Sequence, residues 1–389
     1  MRNGSVWNAR SRRVATKAGG VALAAAALVG TVGSPASAAR EGIDPAERGA
    51  GLRAVVEGGE ASWSLGRIVE DGRTSWKGAA GVADRRGGAP ADPGGRFRIG
   101  SITKTFTATV VLQLVGEGRI GLEDPVEKYL PGVVPDGERI TVRQLLNHTS
   151  GLFNYTEAPE HNMPTEEWVR AGRWQSYSAA GIVANAVGRA PYFPPGKGWR
   201  YSNTNYLLAG MLIERVTGRS WNKEVERRIA RPLKLRDTSM PGTSVRIGGT
   251  HARNYTKLPS GPVDTTLLNP SEAGAGGAGV STTADLARFH SALFKGELLR
   301  PAELREMKRT VKTDQGVGYG LGVQRLDNLN GLGCGEVWGH AGGIHGSVSF
   351  FFGDARGERQ AVTSASLYGK PDLVAVVGRM NKAVACSAS

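Results

Sequence analysis

The pattern of apolar and polar positions divides this chain into strand-rich ends and a helix-rich middle. Residues 63–70 and 73–78 carry strand patterns on either side of Asp71-Gly72, a dipeptide that favours a tight hairpin turn. A Gly-rich turn, Arg98-Ile99-Gly100, runs through Ser101 into an apolar helical stretch at 105–115. Residues 121–135 are rich in Gly and Pro and read as loop. Thr141 and Gln144 form a capping box for a short helix ending near Gly151. Helical periodicity returns at 176–187 and at 205–216, the latter stopped by Gly218. The Gly- and Ala-rich segment 271–279 reads as a hinge, and 283–294 as a helix. Strand patterns follow at 319–326, 337–339, 347–352 and 360–366, and a helix at 372–384 closes the chain. No internal repeat is evident. Strands at both ends with helices between predict an α+β fold: an antiparallel sheet flanked by helices, with a mostly helical subdomain inserted.

The first 38 residues do not belong to that fold. They carry Arg2, Arg10, Arg12, Arg13 and Lys17 and no acid, then an alanine-rich apolar run, then Ala36-Ser37-Ala38, a small-x-small cleavage pattern. This is a signal peptide at 1–38, and Arg12-Arg13 leaves the Sec and Tat routes both open. The remaining 39–389 make one domain, with an α/β part at about 48–120 plus 275–389 and a helical part at about 121–274. The apolar run is too short for a stable membrane anchor, and no later run is long enough to span a bilayer. The expected location is therefore secreted, extracellular or cell-wall associated.

The chain carries a formal charge of +14; without the five basic leader residues it is +9. A basic exported protein suits an anionic wall polymer, and equally a merely soluble life. No nucleic-acid module and no basic-aromatic interleaving is present. Cys334 and Cys386 are the two cysteines, and in an exported chain they favour one disulfide. The scattered histidines offer no metal-ligand spacing, so neither metal nor cofactor is expected.

The chemistry concentrates at Ser101-Ile102-Thr103-Lys104. A serine hydroxyl is a poor nucleophile without a base, and a lysine three residues later lies on the same helix face. A helix N-terminus adds free N–H donors for developing negative charge. Ser220 and Lys223 repeat the spacing, but there Ser220 reads as the N-cap of a short surface helix and Lys223 as solvated. The first copy has partners. Tyr201-Ser202-Asn203 follows the turn cluster Pro194-Pro195-Gly196-Lys197-Gly198 and precedes a helix, so a phenol and an amide can project from a loop tip. His340-Ala341-Gly342-Gly343 precedes an apolar strand, and its small residues let a substrate backbone approach closely.

These three elements, in this order, resemble the serine β-lactamase and penicillin-binding superfamily, and look most like its secreted, soluble D-alanyl-D-alanine carboxypeptidases related to class C β-lactamases. The segments 81–84, 96–100, 140–152 and 318–322 are similar as well, so the resemblance runs from about Gly51 to Cys386. It implies that Ser101 attacks an amide or ester carbonyl and that Lys104 or Tyr201 takes its proton. The N–H groups of Ser101 and Gly343 would form the oxyanion hole. Asn203 would hold Lys104 and the substrate amide, and His340 would support Tyr201 and attract a substrate carboxylate. Thr156 is a further cleft candidate and Arg325 a carboxylate ligand. D-Ala-D-Ala-type peptides or esters are the implied substrates and β-lactams the implied inhibitors. Alternatives on the same fold are an esterase, a β-lactamase, or a penicillin- or wall-binding protein without turnover. The chain departs from the family pattern in the third motif, where Ala341 stands in place of threonine and supplies no hydroxyl to a carboxylate. His345, just past the glycines, reads as a strand residue or an added polar group.

Overall fold

The structure, a computed structural model, describes residues 45–161, 164–314, 316–327 and 335–368, with side chains from residue 49. The leader, Cys334, Cys386 and the helix expected at 372–384 lie outside the described residues.

An eight-stranded antiparallel sheet organises the molecule. The strands are β1 (Ala61–Glu70), β2 (Arg73–Gly81), the short β3 (Phe97–Arg98), β4 (Tyr255–Leu258), β5 (Gly261–Asp264), β6 (Val280–Ser281), β7 (Val311–Lys312), β8 (Gly318–Tyr319), β9 (Gln324–Asp327), β10 (Glu336–Ile344), β11 (Ser347–Gly353) and β12 (Arg359–Leu367). The large sheet runs β2-β1-β12-β11-β10-β9-β8-β7, while β3 pairs with β6 and β4 with β5. The N-terminal hairpin thus adds to the last described strand, Leu65 opposite Ser364. Asp71 and Gly72 both take positive φ, 49° and 76°, as a two-residue hairpin turn requires. The α+β architecture expected from the pattern is the observed one.

The helices are α1 (Pro45–Glu57), α2 (Thr103–Gly116), α3 (Val142–Leu146), α4 (Glu166–Arg170), α5 (Ala179–Val187), α6 (Thr204–Thr217), α7 (Trp221–Val225), α8 (Gly274–Gly277), α9 (Thr283–Phe294) and α10 (Pro301–Met307). Strand alternation sorts them onto two faces. On β11, Val348, Phe350 and Phe352 join Leu52 and Val55 of α1 in an outer cluster, whereas Phe351 faces the main core with α2 and α9. Phe106 of α2 stacks on Phe289 of α9 with centroids 3.8 Å apart. Burying rings of this size stabilises by about 1.5–3 kcal/mol each. Lys104 is the only charged residue in α2 and is fully buried. A helix apolar all round is a core helix, and here it carries one amine into the centre of the fold.

Three local expectations change. The strand expected at 319–326 is broken into β8 and β9. Gly322, at φ 75°, passes directly over α2, where a Cβ would stand 2.5 Å from that of Ala108, and its carbonyl accepts from Thr105 Oγ1. The strand expected to end at Gly339 continues to Ile344, because Gly342 and Gly343 pair with Ser349 and Val348. The expected hinge at 271–279 instead forms the single turn α8, buried against the start of α2. The capping box at Thr141 and Gln144 is present in both directions, and Gly218 caps α6 at φ 69°.

Candidate active site

Ser101 is placed by the inner face of β11. Ser347 and Ser349 donate to the carbonyls of Arg98 and Ile99, pinning the chain that enters the turn. Gly100 then takes φ 50°. A Cβ there would stand 2.6 Å from the Gly343 nitrogen, so only glycine allows the turn to touch β10. Ser101 follows in a 3₁₀ turn, Gly100–Ile102, that leads directly into α2. It lies within this 3₁₀ turn rather than opening the α-helix itself, and Lys104 lies one turn on.

Lys104 Nζ has three hydrogen-bond partners: Ser101 Oγ at 2.9 Å, Asn203 Oδ1 at 2.7 Å and the Gly276 carbonyl at 2.7 Å. No carboxylate pairs with it among the described residues, and burial holds its amine well below the ordinary lysine range. The amide and carbonyl oxygens can only accept, so they take two hydrogens of a neutral amine. The lone pair is then left for the Ser101 hydroxyl. Deprotonated Lys104 is therefore oriented as an acceptor toward one group, Ser101.

Tyr201 and Asn203 come from the loop entering α6. Asn203 Nδ2 donates to Asn154 Oδ1 at 3.2 Å and to Thr156 Oγ1 at 3.4 Å, which turns its Oδ1 toward Lys104. Asn154 also accepts the Asn203 backbone N–H. The Lys104 Nζ lies 4.9 Å from the Tyr201 ring centroid. Burial raises the Tyr201 phenol well above the usual tyrosine range, opposed in part by the Ser101 side chain hydrogen-bonding to it. Ser101 thus lies between an amine poised to be neutral and a phenol held protonated.

The strand β10 completes the site. Its partner β9 reaches only as far as Gly339. Ala341 N–H points to that same edge, donating to Gln324 Oε1. Two residues on, Gly343 N–H faces the same way, into the space beyond the end of β9 and against Gly100. A Cβ on Gly342 would meet the Ile99 carbonyl at 2.0 Å, so the glycines are what let the strand lie on the turn. The arrangement has the parts for acyl transfer: a hydroxyl, a buried amine, a phenol and a strand N–H, that of Gly343, beside the hydroxyl's own turn.

Ser101, Lys104, Tyr201, Asn203, Thr156 and Gly343 are brought together. Arg325 is not; it lies opposite Trp338 on β9, and Asp327 at 3.0 Å and Glu336 at 3.9 Å neutralise it. His340 sits near Tyr201, ring centroids 6.4 Å apart, but is only 1% exposed. Burial, then the neighbouring Lys104, push it down to about 3. Both ring nitrogens are engaged, with Tyr319 Oη and the Ala341 carbonyl. Buried and bonded at both nitrogens, the ring has no free donor turned to a substrate carboxylate. Ala341 packs on the outer apolar cluster, across the strand from His340. His345 is a turn residue, not a strand residue, and its ring lies 4.2 Å from that of Trp168. Ser220 is the N-cap of α7, without a side-chain capping bond, and Lys223 is exposed.

Sequence reasoning passed over His148, Tyr319, Tyr206, Asn154 and Gly276. His148 and Tyr319 lay in segments noted for their resemblance, at 140–152 and 318–322, but nothing in a one-dimensional pattern pairs them. Gly276 acts through its carbonyl, which leaves no residue-type signal at all.

The family described as Beta-lactamase matches residues 66–377. Penicillin-binding protein 4* of Bacillus subtilis is 29% identical over 285 residues, 68% of this chain and 59% of that protein, so the chain spans little more than half of that relative. A D-stereospecific amidohydrolase from a Streptomyces species superimposes with a TM-score of 0.76 at 42% identity, covering 83% of this chain and 94% of that one. D-amino acid amidase from Ochrobactrum anthropi SV3, with L-phenylalanine amide, gives 0.74 at 27% identity, covering 87% and 96%.

Proposed function

This chain belongs to the Beta-lactamase family, and from that membership we propose that it is an exported serine hydrolase of D-configured amides and esters, working through an acyl-enzyme on Ser101. Lys104 accepts the Ser101 proton as the oxygen attacks the substrate carbonyl. The developing oxyanion is held by the N–H groups of Ser101 and Gly343. Tyr201, which burial keeps protonated, passes a proton to the leaving nitrogen or oxygen, and water then releases the acid by the reverse sequence. Export rests on the leader pattern at 1–38 and the division into α/β and helical parts on the order of strands and helices.

The observation that carries the reading is the pair of acceptors, Asn203 Oδ1 and the Gly276 carbonyl, that take two hydrogens of Lys104 and leave its lone pair for Ser101. The D-configuration and the amide bond are supported by the likeness to the D-stereospecific amidohydrolase and the D-amino acid amidase. An uncharged leaving side is supported by the three groups expected to hold a terminal carboxylate: His340 is buried, Arg325 is paired off, and Ala341 lacks a hydroxyl. D-Ala-D-Ala carboxypeptidase activity is the second reading. Its support is the likeness to Penicillin-binding protein 4* and the Tyr-Ser-Asn with His-type third motif.

The test compares turnover of a D-phenylalanine anilide, its L enantiomer, a D-Ala-D-Ala peptide, a short-chain ester and a penicillin by residues 39–389. Intact mass follows the trapped acyl-enzyme. Fastest turnover of the D-anilide, lost together with all labelling in Ser101→Ala but not in Ser220→Ala, is expected. Preference for the L enantiomer sinks the stereochemical reading, and faster cleavage of the D-Ala-D-Ala peptide replaces it with the carboxypeptidase. Labelling that survives Ser101→Ala removes the nucleophile.

A further inference from the structure

Behind Lys104 lies a buried chain of three aromatic side chains that the proposed chemistry does not use. His148 and Tyr319 are each 0% exposed and His340 1%. His148 Nε2 is 3.1 Å from Tyr319 Oη, and Tyr319 Oη is 2.9 Å from His340 Nε2. The backbone decides where the hydrogens are. His148 Nδ1 lies 3.2 Å from the Ser202 backbone N–H, which can only donate, so that nitrogen carries no proton. It also takes Asn205 Nδ2 at 3.2 Å, which is held in that orientation because Asn205 Oδ1 accepts from Ser150. At the other end, His340 Nδ1 faces the Ala341 carbonyl, which can only accept, so that nitrogen carries the proton. With both imidazoles neutral, they take opposite tautomers. His148 Nε2–H then donates to Tyr319 Oη, and an unprotonated His340 Nε2 at 2.9 Å takes the Tyr319 O–H, for which Tyr206 Oη, its own proton on the Leu146 carbonyl, is the competing acceptor.

The ends of this chain belong to the two halves of the candidate site. His148 grips the Tyr201 loop from both sides, its ring taking Ser202 N–H and its carbonyl taking Arg200 N–H at 3.1 Å. Its ring also packs on Tyr201 with centroids 4.3 Å apart. It does so with φ 64°, a left-handed backbone that a bulky residue adopts only where its surroundings over-determine it. His340 sits on β10, three residues before Gly343 and its N–H.

We propose that His148 and Tyr319 are positioning residues which, through His340, set the Tyr201–Asn203 loop against the oxyanion strand as one hydrogen-bonded unit. Lys104 lies inside the frame this makes, and the frame needs both imidazoles neutral. Burial supplies that, holding both rings below the ordinary histidine range. The inference rests on the Ser101 acyl-enzyme for its kinetic consequence but not for its geometry.

The test has a spectroscopic and a kinetic arm. In ¹⁵N-histidine-labelled enzyme at pH 7, long-range ¹H–¹⁵N spectra assigned residue by residue should show His148 as the neutral Nε2–H tautomer and His340 as the neutral Nδ1–H tautomer. The same tautomer at both, or a charged ring at either, overturns the proposal whether or not the enzyme turns over. In Tyr319→Phe the ring is kept and both links are cut. The kcat on the best substrate should fall about 10- to 100-fold, as a displaced reacting group would cause, with KM within about twofold. In His148→Asn the Oδ1 stands where Nδ1 stood and asparagine tolerates the left-handed backbone, so the Ser202 anchor survives while the Tyr319 link is lost. That variant should lose less than His148→Ala, and the double variant His148→Asn/Tyr319→Phe should be no slower than the worse single. Losses that multiply in the double variant, or an unchanged kcat in Tyr319→Phe, refute the chain. If Tyr319→Phe does not fold, the wild-type spectra and the order of the two His148 variants decide. Failure of Ser101 labelling would instead sink the acyl-enzyme and leave the tautomer result standing.

Discussion

Replacing Asn203 by aspartate tests the neutral-lysine mechanism with a single-atom change of charge. Asn203 Oδ1 lies 2.7 Å from Lys104 Nζ. A carboxylate there stabilises the ammonium form that burial now disfavours. At an effective dielectric of about 20, unit charges at that separation attract by about 6 kcal/mol, a ceiling of about four pKa units. Part of this goes into desolvating the new carboxylate, so an upward shift of about 1–3 units is expected, the usual range for an adjacent opposite charge. The sign follows from the mechanism. Lys104 works deprotonated, so kcat/KM rises with pH through its titration, and stabilising the ammonium moves that acid limb to higher pH. At a pH below both titrations the loss is about 10- to 1000-fold, and it shrinks as the buffer is made alkaline. The assay is kcat/KM against pH for wild type and Asn203→Asp on a neutral amide or ester, so that substrate charge does not enter. Thermal melts check that the fold is intact, since the aspartate also gives up its contacts to Asn154 and Thr156. An acid limb that stays in place while activity falls equally at every pH would mean that Lys104 does not set it, and would remove the lysine as base.

Tyr201→Phe keeps the buried ring and removes the proton that burial holds on it. It should lower kcat/KM by about two to four orders of magnitude with little change in melting temperature; a near-wild-type rate would leave Lys104 as the sole acid–base group. Gly342→Ala places a methyl group 2.0 Å from the Ile99 carbonyl, so β10 must move off the Ser101 turn, lowering both the melting temperature and the rate of covalent labelling; an unaffected labelling rate would show that the strand does not need to lie there. Arg325→Ala should leave turnover of both a D-Ala-D-Ala peptide and a D-amide within about twofold of wild type, as expected for a half-buried charge already paired with Asp327; a selective loss on the peptide would restore Arg325 as its carboxylate ligand.

Much of this architecture is determined by local pattern. Asp71-Gly72 selects a hairpin because few other residues accept two successive positive φ angles. Thr141 with Gln144 and Gly218 delimit their helices through bonds that reach no further than four residues. Alternation along β11 likewise assigns its residues to two faces without knowledge of what covers them. The Ser101–Lys104 pair is local too, since a three-residue helical spacing brings hydroxyl and amine together wherever the helix goes.

What surrounds that pair is not local. The hinge-like 271–279 becomes a buried helical turn because α2 and α6 offer it a surface, and only there does the Gly276 carbonyl meet an amine 172 residues away. The apparent strand at 319–326 breaks because Gly322 must clear α2. His340 stands at the position the motif marks, yet its surroundings were decided by Tyr319 and the Ala341 carbonyl, which engage its two ring nitrogens, and by the packing that removes it from water. A motif specifies which residue types meet at a site. Desolvation and the direction of each hydrogen bond depend on every neighbour at once, and those are properties of the folded chain alone.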